Sequence, residues 1–113
     1  MEKMIPSPVL YILVSLADED RHGYAIMQDI RERTNGRVVL GPGGLYTSLQ
    51  RALRAGYIRE LPLRSADQDA RGRRAYRLTP EGRKAAQREL ARLDNVIRMA
   101  RRGNLTPATD REW

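Results

Sequence analysis

The 113-residue sequence contains no cysteine and a single histidine, His22. Without cysteine, disulfides and thiolate metal sites are excluded, and a reducing cytoplasm is the expected compartment. One histidine without other ligands at suitable spacing argues against a metal site, and no cofactor is expected. His22 is instead expected at a helix start, followed by Gly23, which allows close helix packing, and by Tyr24, which fills the core.

The sequence also lacks a hydrophobic run long enough to cross a bilayer. Its most apolar segment, residues 4–17, contains Pro6 and Pro8 and is interpreted as a buried helix rather than a leader peptide. No P-loop or nucleophile elbow is present. The carboxylates at residues 18–20 are expected in a turn and those at 67–69 in a loop tip, so neither forms a buried acid/base pair. We expect neither an enzyme nor a membrane protein.

Acidic side chains are scarce in one part of the chain, and the formal net charge is +7. Residues 1–70 carry 9 basic and 9 acidic side chains, whereas residues 71–102 carry 11 and 3. Most of the basic side chains are arginine, which suits bidentate contacts to phosphate and to guanine edges. A solvated helix would explain such a stretch, but a polyanionic partner is the sharper interpretation.

Hydrophobic periodicity predicts a first helix over residues 8–17 that is apolar on two faces. These faces consist of Val9, Leu13 and Leu16 and of Leu10, Tyr11 and Val14. A helix that is apolar all round must be buried all round. Because one small domain covers only one face, the second face indicates a partner chain.

A second helix is predicted to follow residues 18–20 and to end at Asn35-Gly36, before a short strand at 37–40. The third helix is predicted from Pro42 to Ala55. Glycines beside Pro42 let the backbone approach whatever lies beyond the helix start, where free N–H groups and the helix dipole favour phosphate. The outward face carries no acidic side chain and consists of Thr47, Gln50, Arg51 and Arg54.

Two strands, 57–64 and 73–79, flank a polar hairpin loop. Thr79 is then predicted to cap a last helix that ends near Arg102. Its apolar residues recur every three or four positions and form a heptad seam of Ala86, Leu90, Leu93, Ile97 and Ala100. Residues after 103 are expected to be a loose tail.

Three helices followed by a β-hairpin are typical of a winged helix-turn-helix, whose third helix enters the major groove. The predicted fold class is therefore mainly α with a small β-hairpin, plus a C-terminal dimerisation helix. A strand at 37–40 that pairs with the wing would account for the long connection between the second and third helices. The predicted division is a winged-helix domain (1–79), a dimerisation helix (80–103) and a tail (104–113).

Three segments carry a resemblance to a known family: "LVSLADEDRHGYAIMQDI", "LGPGGLYTSLQRALRAGYI" and "RRAYRLTPEGRKA". In order and spacing they resemble the PadR family of bacterial transcriptional regulators, over roughly residues 8–86. The resemblance implies a homodimeric repressor whose last helix crosses to the partner's first helix. The sequence departs from the family pattern at Gly41, Gly44 and Thr47, so no operator sequence is carried over.

These observations predict a sequence-specific DNA-binding transcriptional regulator. The candidate DNA-binding residues are Tyr46, Thr47, Gln50, Arg51, Arg54, Arg71, Arg73 and Arg74. Tyr46 is as compatible with packing as with a phosphate contact, and solvation is the alternative for the wing arginines. The candidate dimerisation residues are Leu10, Val14, Leu90, Leu93 and Ile97.

Two alternatives stay open at this point. The first is a winged-helix module that binds RNA or a protein partner. The second is a sensor that binds a small apolar molecule between its helices and binds DNA weakly. The predicted partners are duplex DNA, a second copy of the chain and a small-molecule inducer of unknown identity.

Overall fold

The computed structural model describes residues 4–62 and 74–108. The described residues form four helices and three short strands, which confirms the predicted fold class. In chain order they are α1 (Ser7–Ser15), β1 (Arg21–His22), α2 (Gly23–Arg33), α3 (Pro42–Arg54), β2 (Ile58–Glu60), β3 (Ala75–Leu78) and α4 (Pro80–Arg102).

Helix α1 is the centre of the core, as its composition requires. Ile12 and Leu13 are fully buried, and α1 packs against α2, α3 and α4. The second apolar face is only half-buried in the single chain: Leu10, Tyr11 and Val14 keep part of their surface. One polar residue of the helix, Ser15, is buried because its hydroxyl donates a 2.7 Å hydrogen bond to Asp29 of α2.

Helix α2 ends where predicted, because Asn35 and Gly36 both adopt left-handed backbone conformations (φ 52° and 78°). Its start lies close to α3, but a methyl group at Gly23 would lie 3.4 Å from Leu45 Cδ2, an ordinary van der Waals contact, so this packing does not require a glycine. The prediction for Tyr24 was wrong. Its side chain is 62% exposed and its hydroxyl accepts a hydrogen bond from Gln28, because position 24 faces away from the core side of α2.

The strand predicted at 37–40 is also wrong. The backbone N–H of Arg37 donates to the Thr34 carbonyl and that of Val38 to the Thr34 hydroxyl, so this segment folds back onto the end of α2. The third strand is instead β1, only two residues long, which no alternation pattern can reveal. The antiparallel sheet has the order β1-β3-β2, with Arg21 opposite Tyr76 and Glu60 opposite Tyr76 on the other side.

Helix α4 begins directly on the turn that follows α3. The Thr79 hydroxyl accepts from the backbone N–H of Gly82 (2.9 Å) and donates to the Gly56 carbonyl (2.6 Å), which confirms the predicted cap. The first two turns of α4 bury Ala85 and Ala86 in the common core. The remaining turns extend beyond it, and the described residues span 56 Å along their longest axis.

Across residues 4–62 and 74–108, none of the helices combines the length and apolar character that a membrane crossing requires.

Candidate nucleic-acid interface

Helix α3 separates a buried face from an exposed one. Its core face consists of Leu45, Ser48, Leu49 and Ala52. On the other side Tyr46, Thr47, Arg51 and Arg54 are exposed and Gln50 is half-buried. The packing alternative for Tyr46 is not supported in the single chain, because its side chain is 65% exposed. All five residues are therefore available to a ligand without any change in the core.

Helical spacing orders these exposed residues further. Gly43, Thr47, Gln50 and Arg54 follow one another at intervals of 4, 3 and 4 and form the stripe opposite the core. Tyr46 and Arg51 border this stripe on its two sides. A groove in which α3 lies lengthwise, with this side inward, would meet the stripe first and the two bordering side chains next.

The start of α3 is open. Its N-cap, Gly41, has no side chain to cap the first turn, and no side chain of residues 4–62 or 74–108 caps its free N–H groups. A methyl group built at Gly41, Gly43 or Gly44 would meet no described atom within 4 Å. Packing among the described residues therefore does not require these glycines, and they leave the first turn accessible to an anion.

The base of the wing adds a second basic element to this surface. Arg74 Nη1 lies 2.9 Å from Glu60 Oε1, and both side chains are partly exposed. The other two predicted wing residues, Arg71 and Arg73, lie outside the described residues. Sequence reasoning did not predict the partner of Arg74, because Glu60 is fourteen positions away.

Tyr76 connects the wing to α3. Burial raises the pKa of the Tyr76 phenol, and the negative charge of the neighbouring Glu60 raises it further. Tyr46 on α3 is close enough to raise the same pKa. Tyr76 packs in the same core cluster as Leu45 and Leu49 of α3, and Glu60 is its partner in the neighbouring strand.

Arg77, in strand β3, forms an ion pair with the turn between α1 and α2. Arg77 of β3 binds both carboxylate oxygens of Asp20, the shorter distance being 2.7 Å. This hydrogen-bonded guanidinium lowers the pKa of Asp20. The pair joins the turn between α1 and α2 to the sheet.

Helix α4 carries an apolar surface that the single chain does not cover. Leu90, Leu93 and Ile97 of the predicted seam are 47%, 36% and 37% exposed. Val96 and Met99 extend this surface on one side, and sequence reasoning missed them because it followed a strict heptad. Ala86, by contrast, is buried in the core of its own chain. We call the exposed residues Leu90, Leu93, Val96, Ile97 and Met99 the α4 face.

Glu89 is a buried acid next to the α4 face that the sequence pattern did not reveal. It is 7% exposed, and Arg92 binds both of its oxygens at 2.6 and 3.1 Å. The Arg92 hydrogen bond lowers the pKa of Glu89, and a hydrogen bond from the Ile5 backbone lowers it further. The Ile5 contact joins the segment before α1 to α4, whereas the Arg92 pair lies within α4.

Residues 12–88 match the transcriptional regulator PadR-like family. The chain belongs to the PadR family. This is the family whose pattern the three segments resemble, and its members are transcriptional regulators.

The folds of solved structures agree with this membership. A transcriptional regulator from Clostridium thermocellum is 26% identical, with a TM-score of 0.73 over 84% of this chain and 87% of that one. A PadR family transcription regulator from Clostridium difficile, 23% identical, has the same TM-score and covers 86% of this chain and 97% of its own. This PadR-family chain therefore has the family fold over most of its length.

A curated relative is an uncharacterized 37.1 kDa protein in transposon TN4556 of Streptomyces fradiae. It is 39% identical over 92 residues, which are 78% of this chain. The PadR-family chain spans only 24% of that relative's length.

Proposed function

We propose that this protein is a sequence-specific DNA-binding repressor in which α3 reads base edges in the major groove. The observation that carries the proposal is the exposed face of α3, with two arginines, a glutamine and a threonine and without a carboxylate. Glutamine suits adenine and arginine suits guanine by hydrogen-bond geometry. The open glycine-rich start of the same helix supports close approach to the phosphate backbone.

The proposed active form is a homodimer. The α4 face is too apolar to be favourable in water, and a second copy can cover it together with the half-buried Leu10 and Val14 of α1. Two α3 helices would then bind half-sites about one helical turn of DNA apart. In this proposal residues 1–79 form the DNA-binding domain and residues 80–103 the dimerisation helix.

Repression follows from occupancy of a promoter by the dimer. An inducer would relieve it only by binding one dimer arrangement more tightly than the other, because equal affinity for both shifts nothing. The two dimer arrangements would differ in the separation of the two α3 helices.

The test of the proposed function is competition between nucleic acids. Operator fragments are first selected from randomised duplexes, and the bound duplex is then challenged with RNA of the same sequence. We expect RNA and unrelated duplex to compete only weakly. Equal competition by RNA would favour the RNA-binding alternative, and no binding to any duplex would contradict the proposal.

Salt dependence is expected to be steep. A dimer that neutralises on the order of 6–10 phosphates releases nearly as many counterions, so its affinity should fall by about 10³–10⁵ between 50 and 200 mM salt. Fluorescence anisotropy of a labelled operator across this range measures the slope. An affinity that hardly changes with salt would show that the arginines do not contact phosphate.

Helix and wing are expected to affect specificity differently. Gln50→Ala and Arg51→Ala should each remove about 1–3 kcal/mol of discrimination at particular base pairs. Arg73→Ala and Arg74→Ala should instead weaken binding to all sequences and reduce the salt slope, because phosphate contacts carry no sequence information. Selection from a randomised operator library with each variant measures both effects. If the wing variants changed base preference and the helix variants did not, the assignment of the reading helix would be reversed.

A further inference from the structure

We propose that Glu60 limits the affinity of this protein for DNA, because its carboxylate binds Arg74 at the base of the wing and repels the phosphate backbone. The inference rests on the proposed function, since it assigns a further residue to the same DNA surface. It concerns an acidic side chain where a DNA-binding surface would be expected to carry none.

The isolation of Glu60 is visible in the sequence. From residue 33 to residue 66 there are six arginines and a single acidic residue, Glu60. This stretch includes α3, β2 and the first part of the wing. A carboxylate in such a stretch opposes the positive potential that attracts DNA.

The structure shows what this carboxylate does. Its Oε1 atom accepts a 2.9 Å hydrogen bond from Arg74, and the side chains of Glu60 and Arg74 are 37% and 55% exposed. An ion pair this exposed contributes little to folding. The ion pair therefore affects mainly the binding of phosphate to Arg74, because a phosphate oxygen must replace Glu60 or share the guanidinium with it.

The sheet register places Glu60 at the base of the wing. Glu60 is opposite Tyr76, and Tyr76 packs in the same core cluster as Leu45 and Leu49 of α3. The carboxylate thus lies beside Arg74, where a phosphate contacted by the wing would pass. Keeping this negative charge beside Arg74 lowers binding to every duplex and leaves discrimination to the base contacts of α3.

The test is Glu60→Gln, which keeps the shape of the side chain and removes its charge. We expect affinity for operator and unrelated duplex to rise together, roughly fivefold at low salt, with a steeper salt slope. The control is Asp94→Asn on α4, which also removes one carboxylate and its ion pair with Arg98, but away from α3 and the wing. It should change affinity by less than about twofold.

A double-mutant cycle tests whether Arg74 is the target. Arg74→Ala should weaken binding more in the Glu60→Gln background than in the wild-type protein, by roughly threefold, because the freed guanidinium contributes more. Equal effects in both backgrounds, or an affinity that falls in Glu60→Gln, would overturn the inference. A changed base preference in Glu60→Gln would overturn it too, because Glu60 would then read bases directly. If the wild-type protein and both variants bound no duplex, the proposed function itself would fail.

Discussion

Leu93→Asp is expected to turn the protein into a monomer and to lower its affinity for a two-half-site operator by at least about a hundredfold. In the proposed dimer Leu93 is covered by the partner, and an unpaired buried carboxylate costs about 3–5 kcal/mol. Loss of the second α3 helix then removes the avidity of two linked half-sites, which amounts to about 10²–10⁴. Sedimentation at micromolar concentration and anisotropy on the same samples measure both effects.

The matched control is Ala91→Asp, which introduces the same charge on the same helix. Ala91 is exposed and lies on the side of α4 away from Leu90 and Leu93. This variant should remain dimeric and should bind operator almost as well as the wild-type protein. A wild-type protein that sediments as a monomer, or a Leu93→Asp variant that remains dimeric, would contradict the proposed assembly.

The helices were predictable because their ends carry local signals. Pro42 and Gly56 bracket α3, and Thr79 and Gly103 bracket α4, so the predicted limits agree with the structure to within one residue. Such signals act within a few residues of the chain, where sequence and structure are directly linked. The apolar seam of α4 follows from the same local periodicity.

The features that the sequence did not predict depend on contacts between distant residues. Strand β1 forms because it pairs with β3, more than fifty residues later in the chain. The strand propensity of its own two residues does not predict it. Tyr24 was assigned to the core from its aromatic character, but its position on α2 places it in solvent. The ion pair of Glu60 with Arg74 and the burial of Glu89 likewise depend on how the elements pack.

The candidate site also has one part that local sequence signals predict and another that depends on distant contacts. The outward face of α3 could be derived from helical spacing, since the core residues define the opposite side. The ion pair at the base of the wing could not be derived in this way, and Arg74 was interpreted as a simple phosphate anchor. Its carboxylate partner changes that interpretation: we infer that phosphate must compete with Glu60 for Arg74.

Gly82 is another residue whose role only the structure reveals. Its Cα lies against the turn after α3, where an added methyl group would be 1.9 Å from the carbonyl oxygen of Tyr57. The backbone N–H of Thr79 donates to this same carbonyl at 3.0 Å. The start of α4 can therefore rest on the turn only if position 82 has no side chain.

Gly82→Ala is accordingly expected to destabilise the protein by about 3 kcal/mol, because the methyl group must push α4 away from Tyr57 and disturb the Thr79 cap. For a domain of this size the melting temperature should fall by more than about 10 °C. Thermal unfolding followed by circular dichroism measures the change. An unchanged melting temperature would show that the helix start is not held against the turn.

Gly43→Ala is the same substitution in the first turn of α3, and its expected effects are reversed. The added methyl group meets no described atom within 4 Å, so the variant should be more stable by about 0.5–1 kcal/mol, as alanine favours the helix. Gly43 is also the first residue of the stripe that is proposed to face DNA, together with Thr47, Gln50 and Arg54. If its role is close approach to the duplex, Gly43→Ala should weaken operator binding on the order of tenfold, about 1.4 kcal/mol, although the fold is more stable. Melting temperature and operator affinity measured on one preparation separate the two effects. A variant that gains stability and keeps full affinity would show that the open start of α3 does not contact DNA.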